Sequence, residues 1–150
     1  MLRLINILFP CSAGNRRFDI SLLLSRLLFG LLFMMHGLPQ INDFSQMALT
    51  FPGQLGIGSE ISLILAIFGE VFCSVMLILG LLTRLSLIPM IFTMCIAFFV
   101  VHAEDPFSAR ELSFVYLATF IIIWVCGAGK YSLDYEIRVK FIKSLNQNQK

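Results

Sequence analysis

The chain has 150 residues, 58% of them hydrophobic and 13% charged, with a formal net charge of +2 and a mean hydropathy of +0.88. This balance excludes an ordinary water-soluble domain, and so small a positive excess does not make a nucleic-acid-binding surface. Within or beside the apolar runs stand Arg26, His36, Glu70, Arg84, His102, Glu111 and Asp134, each costly in hydrocarbon unless paired, hydrated or used.

Residues 1–18 open with a short apolar run that ends at Pro10, followed by Cys11-Ser12-Ala13-Gly14. The run is short for a secretion signal and the Arg16-Arg17 pair lies on the wrong side of it. The segment is expected to be a cytoplasmic or interfacial arm. A first span follows over residues 20–38, capped by Asp19 or Ser21 and stopped by Gly37-Leu38-Pro39. The loop over 40–58 carries Pro52 and the apolar residues Phe44, Met47, Leu49 and Phe51, and should fold back on the mouth of the spans, with a short helix, as a lid.

A second span covers 61–82, with its start at Ser59 or Glu60, and a third covers 85–101, borrowing His102 and Ala103 to reach full length. Pro89 falls in the first two turns of the third span, where its missing N–H costs less than at mid-helix, and predicts a mild kink. After a polar turn over 102–110, the fourth span covers 112–128. Glu111 sits in its first turn, where a carboxylate complements the helix dipole, and Gly127-Ala128-Gly129 ends it. Residues 19–135 form the membrane domain, and 136–150 a basic tail.

Each run approaches the roughly 20 residues that a spanning helix requires, and none shows the period-two alternation of barrel strands. Lipid cannot satisfy exposed backbone, so the spans are helices. The expected fold is all-α, a transmembrane antiparallel four-helix bundle. Arg3, Arg16 and Arg17 precede the first span, Arg84 lies between the second and third, and Lys130, Arg138, Lys140, Lys143 and Lys150 follow the fourth. Residues 39–60 contain no Lys or Arg, and the turn between spans three and four has only Arg110. By the positive-inside rule both termini are cytoplasmic. Cys11, Cys73, Cys95 and Cys126 form no C-x-x-C pair and read as small packing residues, not as a structural disulfide.

Depth decides which polar groups can meet. His36 nears the outer end of the first span, His102 ends the third and Glu111 begins the fourth, so two imidazoles and a carboxylate reach one rim, with Glu60 nearby. Such a group suits proton exchange with a lipid-soluble ligand such as a quinone, and His36, His102 and Glu111 are weak candidates for a transition metal. No H-x-x-x-H or E-x-x-H spacing occurs, and the alternative is a set of ordinary polar rim residues. Glu70 lies ten residues beyond Glu60, about 15 Å deeper at helical rise, where it must be neutral or paired. Arg26 is the expected partner, either as a register-fixing ion pair or as part of a ligand or proton site. Arg84 and Asp134 are expected to form a salt bridge at the cytoplasmic rim. No haem, flavin or nucleotide motif is present.

Arg26-Leu27-Leu28-Phe29-Gly30, then His36-Gly37, Glu70, Leu79-Gly80-Leu81-Leu82-Thr83-Arg84, Glu111 and Gly127-Ala128-Gly129-Lys130-Tyr131-Ser132-Leu133-Asp134 together resemble the DoxX family of small four-helix membrane proteins, over about residues 20–135. The family places a Lys soon after the His-Gly pair, where this chain has Gln40. The resemblance implies a multi-pass inner-membrane protein linked to redox metabolism, since some relatives are subunits of quinone-linked sulfur-compound oxidation and others associate with antioxidant enzymes. On that reading the chain is the membrane subunit of an oxidoreductase complex and not a complete enzyme alone. Its partners are lipid, a quinone-like ligand, and a redox protein or a second copy, with no nucleic acid. His36, Glu70, His102 and Glu111 then line an outward-opening cavity. The competing reading is a non-catalytic membrane partner or assembly protein whose buried charges only specify helix packing. A small-solute transporter is a third class, disfavoured by the lack of repeats and broken helices.

Overall fold

A computed structural model describes residues 15–53 and 56–147. Most of the expected N-terminal arm, with Arg3 and Cys11, lies outside the described residues, as does Lys150. The helices are α1 (Arg16–Asn42), α2 (Phe44–Thr50), α3 (Ser59–Leu79), α4 (Thr83–Val101), α5 (Phe107–Cys126) and α6 (Leu133–Gln147). Of these, α1, α3, α4 and α5 are long and apolar enough to cross a membrane, so the chain is an all-α, multi-span membrane protein. Helix α1 packs on α3 and α5, α3 packs on α4, and α4 packs on α5.

The starts and ends of these helices differ from the sequence expectation in ways that matter to the site. Asn15, not Asp19 or Ser21, caps α1, its side chain accepting from the Arg17 N–H at 3.0 Å. That adds a turn before residue 20 and leaves Asp19 free for another task. At the other end α1 runs through Gly37 and Pro39 to Asn42. Proline removes one backbone bond but does not oblige a helix to stop, and Gly37 serves here as a contact point. A Cβ at Gly37 would lie 2.5 Å from Val71 Cγ2 and 2.9 Å from Glu70 Cβ, so the absence of a side chain lets α1 and α3 approach closely.

Phe33, Leu77, Met90, Phe120 and Ile123 form the packed interior. Leu24, Leu28, Met35, Phe72, Phe92, Ile122 and Val125 are exposed, as lipid-facing residues on spans should be, because hydrocarbon solvates them as well as a protein core does. Cys73 is buried and Cys95 and Cys126 are half-buried, all three as free thiols. Helix α2 is the short helix expected in the loop, and Phe51, Pro52 and Ile57 beyond it border the space between α3 and α4.

Two π-helical turns interrupt the spans: Phe68–Phe72 in α3 and Ala97–Val101 at the end of α4. A π turn adds a residue to the helical repeat and rotates the side chains beyond it, and such turns recur at functional sites. Glu70 lies within the first and His102 directly succeeds the second.

Candidate functional site

The ionisable residues separate into two groups at different levels of the spans. One group gathers where α1 starts, α3 ends and α6 begins. Gly80 has φ +66°, a left-handed conformation that glycine adopts without steric cost, and it leaves room for the Arg26 guanidinium, whose Nη1 any side chain at 80 would overlap. Arg26 is fully buried, and its Nη2 donates to the Tyr131 carbonyl. Asp134 is within electrostatic reach of that guanidinium. Its carboxylate accepts from the N–H groups of Leu82 at 2.7 Å and Thr83 at 2.9 Å, which are orphan donors at the start of α4. The Asp134 N–H in turn donates to the Gly80 carbonyl at 2.9 Å. Asp19 completes the group by accepting from the Lys130 N–H at 3.1 Å.

These contacts revise two expectations. Arg26 turns to Tyr131 and Asp134 rather than to Glu70, because it lies level with Gly80, about 15 Å along α3 from Glu70 at helical rise. Arg84 turns to the end of α5, where its Nε donates to the Trp124 carbonyl at 3.1 Å and its guanidinium lies 5.3 Å from the centroid of the Trp124 ring. Asp134 is instead occupied by backbone N–H groups, which a carboxylate binds strongly at a helix start. The whole arrangement is a polar clasp that ties the 127–134 segment across the helix ends.

The second group is built on Glu70. Its side chain is 7% exposed, and Oε2 accepts from Gln40 Nε2 at 2.7 Å. A Cβ at Gly37 would sit 3.4 Å from the same oxygen, so Gly37 and Gln40 together shape the space for the carboxylate. Tyr116 of α5 is buried and within electrostatic reach of Glu70. Its hydroxyl lies 3.4 Å from Nε2 of His36, and the two rings meet edge to face with centroids 5.8 Å apart. His36 itself is exposed. The surface residue His36 thus meets Tyr116, which is in turn within electrostatic reach of Glu70.

His102 and Glu111 do not join it. His102 Nδ1 is paired with Asp105 Oδ2 at 2.7 Å within the turn before α5, and Glu111 is exposed. Among the described residues no three His, Cys, Asp or Glu side chains converge as metal ligands, so His36, His102 and Glu111, named from the sequence only as weak metal candidates, are not brought together. The tight turn over 102–105 explains it, since it satisfies His102 locally.

A cavity of about 520 Å³ lies between α3 and α4, under Phe51, Pro52 and Ile57. Its walls are almost wholly apolar, among them Leu65, Phe68, Ile88, Phe92 and Ile96, and Glu70, Ser62 and Thr93 supply its polar groups. Ser62 and Thr93 spend their hydroxyl protons on the carbonyls of Gly58 at 2.8 Å and Pro89 at 3.0 Å, so toward a ligand they can act only as acceptors. Among the described lining residues Glu70 is the one carboxyl group, able to hold or release a proton. Of His36, Glu70, His102 and Glu111, which were expected to share one cavity, Glu70 lines this one and the other three are not among its described lining residues. The size and the sparse polar lining leave room for a largely apolar ligand.

Sequence reasoning passed over Gln40 and Tyr116 as site residues. Both had a signal: Gln40 is four residues beyond His36 and thus near the same helix face, and Tyr116 is the one tyrosine inside a span.

Over 127 residues the chain is 29% identical to a Haemophilus influenzae protein named "Uncharacterized protein", covering 79% of this chain and 84% of the relative. Over 121 residues it is 28% identical to a Bacillus subtilis protein named "Putative oxidoreductase CatD", covering 80% of this chain and 89% of the relative. No solved structure matches. The DoxX family model matches residues 21–103, which hold Arg26, His36, Gln40 and Glu70, and the chain belongs to the DoxX family.

Proposed function

We propose that this protein is a redox-associated subunit of the inner membrane in which the α3–α4 cavity holds a quinone-like ligand against Glu70. The observation that carries the reading is an apolar cavity of about 520 Å³ whose wall includes a buried, hydrogen-bonded carboxylate. A carboxylate in such surroundings needs a reason, because burying it is costly without a partner or a protonic role. The oxidoreductase name of the Bacillus subtilis relative is consistent with it. In the proposed arrangement the four spans form an antiparallel bundle with both termini cytoplasmic, in keeping with the distribution of Lys and Arg, and His36 lies toward the outer face.

A bound quinone supplies coupled electron and proton chemistry. The residues of this chain would handle the proton. Gln40 fixes Oε2 of Glu70 and leaves the carboxyl group as the exchanging site toward the cavity. Tyr116 and the exposed His36 connect that carboxyl group with the surface, and the apolar walls exclude water from the ligand face. Electrons pass to or from a redox partner protein, so the chain acts as a subunit and not as a complete enzyme.

The test is purification of the full chain in native-like lipid, with bound quinone quantified by mass spectrometry. The wild type is expected to retain quinone, and Glu70→Gln to lose most of it. Retention at the wild-type level in both Glu70→Gln and His36→Ala would overturn the assignment.

A second reading, in which charge serves only packing, is favoured for the other group. Every bond found for Asp19, Arg26 and Asp134 is to backbone, and none of the three lines the cavity. We assign those residues a structural role.

A further inference from the structure

Helix α6 is the most polar of the long helices, yet its start is fixed at the level where the spans end. Asp134 in its first turn binds the backbone of Gly80, Leu82 and Thr83, so the helix cannot move far from the rim. That rim exposes Trp124 at 40% and Tyr131 at 46%, residue types that settle at the boundary of hydrocarbon and headgroups. Leu133, Ile137 and Phe141 are exposed on α6. At four-residue spacing they form one stripe along the helix, and the exposed Lys140 and Lys143 border it.

Charge at this end of the molecule is lopsided. Arg16, Arg17, Lys130, Lys140 and Lys143 are exposed, whereas the nearby acids Asp19 and Asp134 are buried in the clasp, leaving Glu136 as the exposed acid of α6. The opposite end exposes Asp43, Glu60, Glu104, Asp105 and Glu111. A stripe of apolar side chains edged with cations, held at the headgroup level, matches an anionic lipid surface in both shape and sign.

We propose that α6 is an interfacial helix that docks on the anionic headgroups of the adjoining leaflet, with Ile137 and Phe141 inserted and Lys140 and Lys143 on lipid phosphates. The inference is independent of the cavity and its ligand. Docking would extend the clasp into the bilayer surface and hold the ends of α3 and α4 together through Asp134.

The full-length protein reconstituted in phosphatidylcholine vesicles, with and without phosphatidylglycerol, provides the test, read by amide hydrogen exchange. Phosphatidylglycerol is expected to slow exchange over residues 137–147 about tenfold, and high salt to reverse the effect. The charge variant Lys140→Glu/Lys143→Glu should lose the dependence on phosphatidylglycerol, and Ile137→Ser/Phe141→Ser should lose protection in both vesicles. Unchanged exchange in α3 shows that each variant remains folded. Equal exchange in the two vesicle types, or protection that survives the charge variant, would overturn the proposal. So would protection that tracks the protein density in the vesicle rather than the lipid, since the occupant would then be a second copy of the chain.

Discussion

Removing the Asp134 carboxylate should destabilise the fold more than any surface change, although the residue lies beyond the last span. In Asp134→Ala the N–H groups of Leu82 and Thr83 lose acceptors at 2.7 and 2.9 Å. Hydrogen bonds to a charged group contribute about 1.5–3 kcal/mol each. The same change strips the buried Arg26 guanidinium of a counter-charge, and among the described residues its Nε and Nη1 already have no hydrogen-bond acceptor. Breaking a buried charge arrangement on one side typically costs about 3–5 kcal/mol. Because the terms overlap, the expected loss for Asp134→Ala is about 3–5 kcal/mol, near the upper end of single substitutions. Asp134→Asn keeps one acceptor oxygen and should lose roughly half as much. Adding Arg26→Met to Asp134→Ala should recover part of the loss, because an uncharged side chain needs no counter-charge. Unfolding in mixed micelles with increasing SDS, monitored by circular dichroism, measures all of these. If Asp134→Ala unfolds within about 0.5 kcal/mol of wild type, the range of an ordinary surface change, the clasp does not hold the helix ends and the reasoning fails.

Gly37→Ala places a methyl group 2.5 Å from Val71 Cγ2 and 2.9 Å from Glu70 Cβ, so α1 and α3 must separate; overpacking of this kind costs about 1–3 kcal/mol, and quinone retention should fall along with stability in the same preparations. Gly80→Ala forces a side chain to φ +66° and onto the guanidinium of Arg26, so it should exceed the roughly 1–2 kcal/mol of a left-handed residue alone; a loss below that in SDS titration would show that Arg26 moves aside freely. Tyr116→Phe removes the hydroxyl 3.4 Å from His36 while retaining the aromatic contacts of the core, and should leave unfolding within about 1 kcal/mol of wild type while slowing proton exchange with bound quinone, measured by stopped-flow reduction. Cys73 is buried and should resist maleimide in the folded protein, with labelling in mild detergent as the check; rapid modification would contradict the packing of α3 against the interior.

Several site residues could be read from their residue type and position, and others could not. Glu70 was legible because a carboxylate ten residues into an apolar run must be paired, neutral or used. Its partner was not. Arg26 is the nearest opposite charge in the sequence pattern, yet the levels at which α1 and α3 cross put Gln40 beside Glu70 and Gly80 beside Arg26. A one-dimensional depth count cannot settle such a pairing, because it depends on where each helix begins. Asn15 starts α1 earlier than expected and Pro39 does not end it, and each shift of one residue moves a side chain by about 1.5 Å and 100°.

By itself the sequence determined that water could not be the main solvent of the chain, where its apolar spans lie, and which charged residues needed an explanation, because hydropathy and composition act locally and require no knowledge of packing. Only the tertiary structure decided how those charges divide. The π turn at Phe68–Phe72 and the left-handed Gly80 are set by how helices meet, and they place Glu70 at a cavity and Arg26 in a clasp. A buried charge takes whichever partner the crossing helices bring within reach, and that reach is a property of the assembled spans.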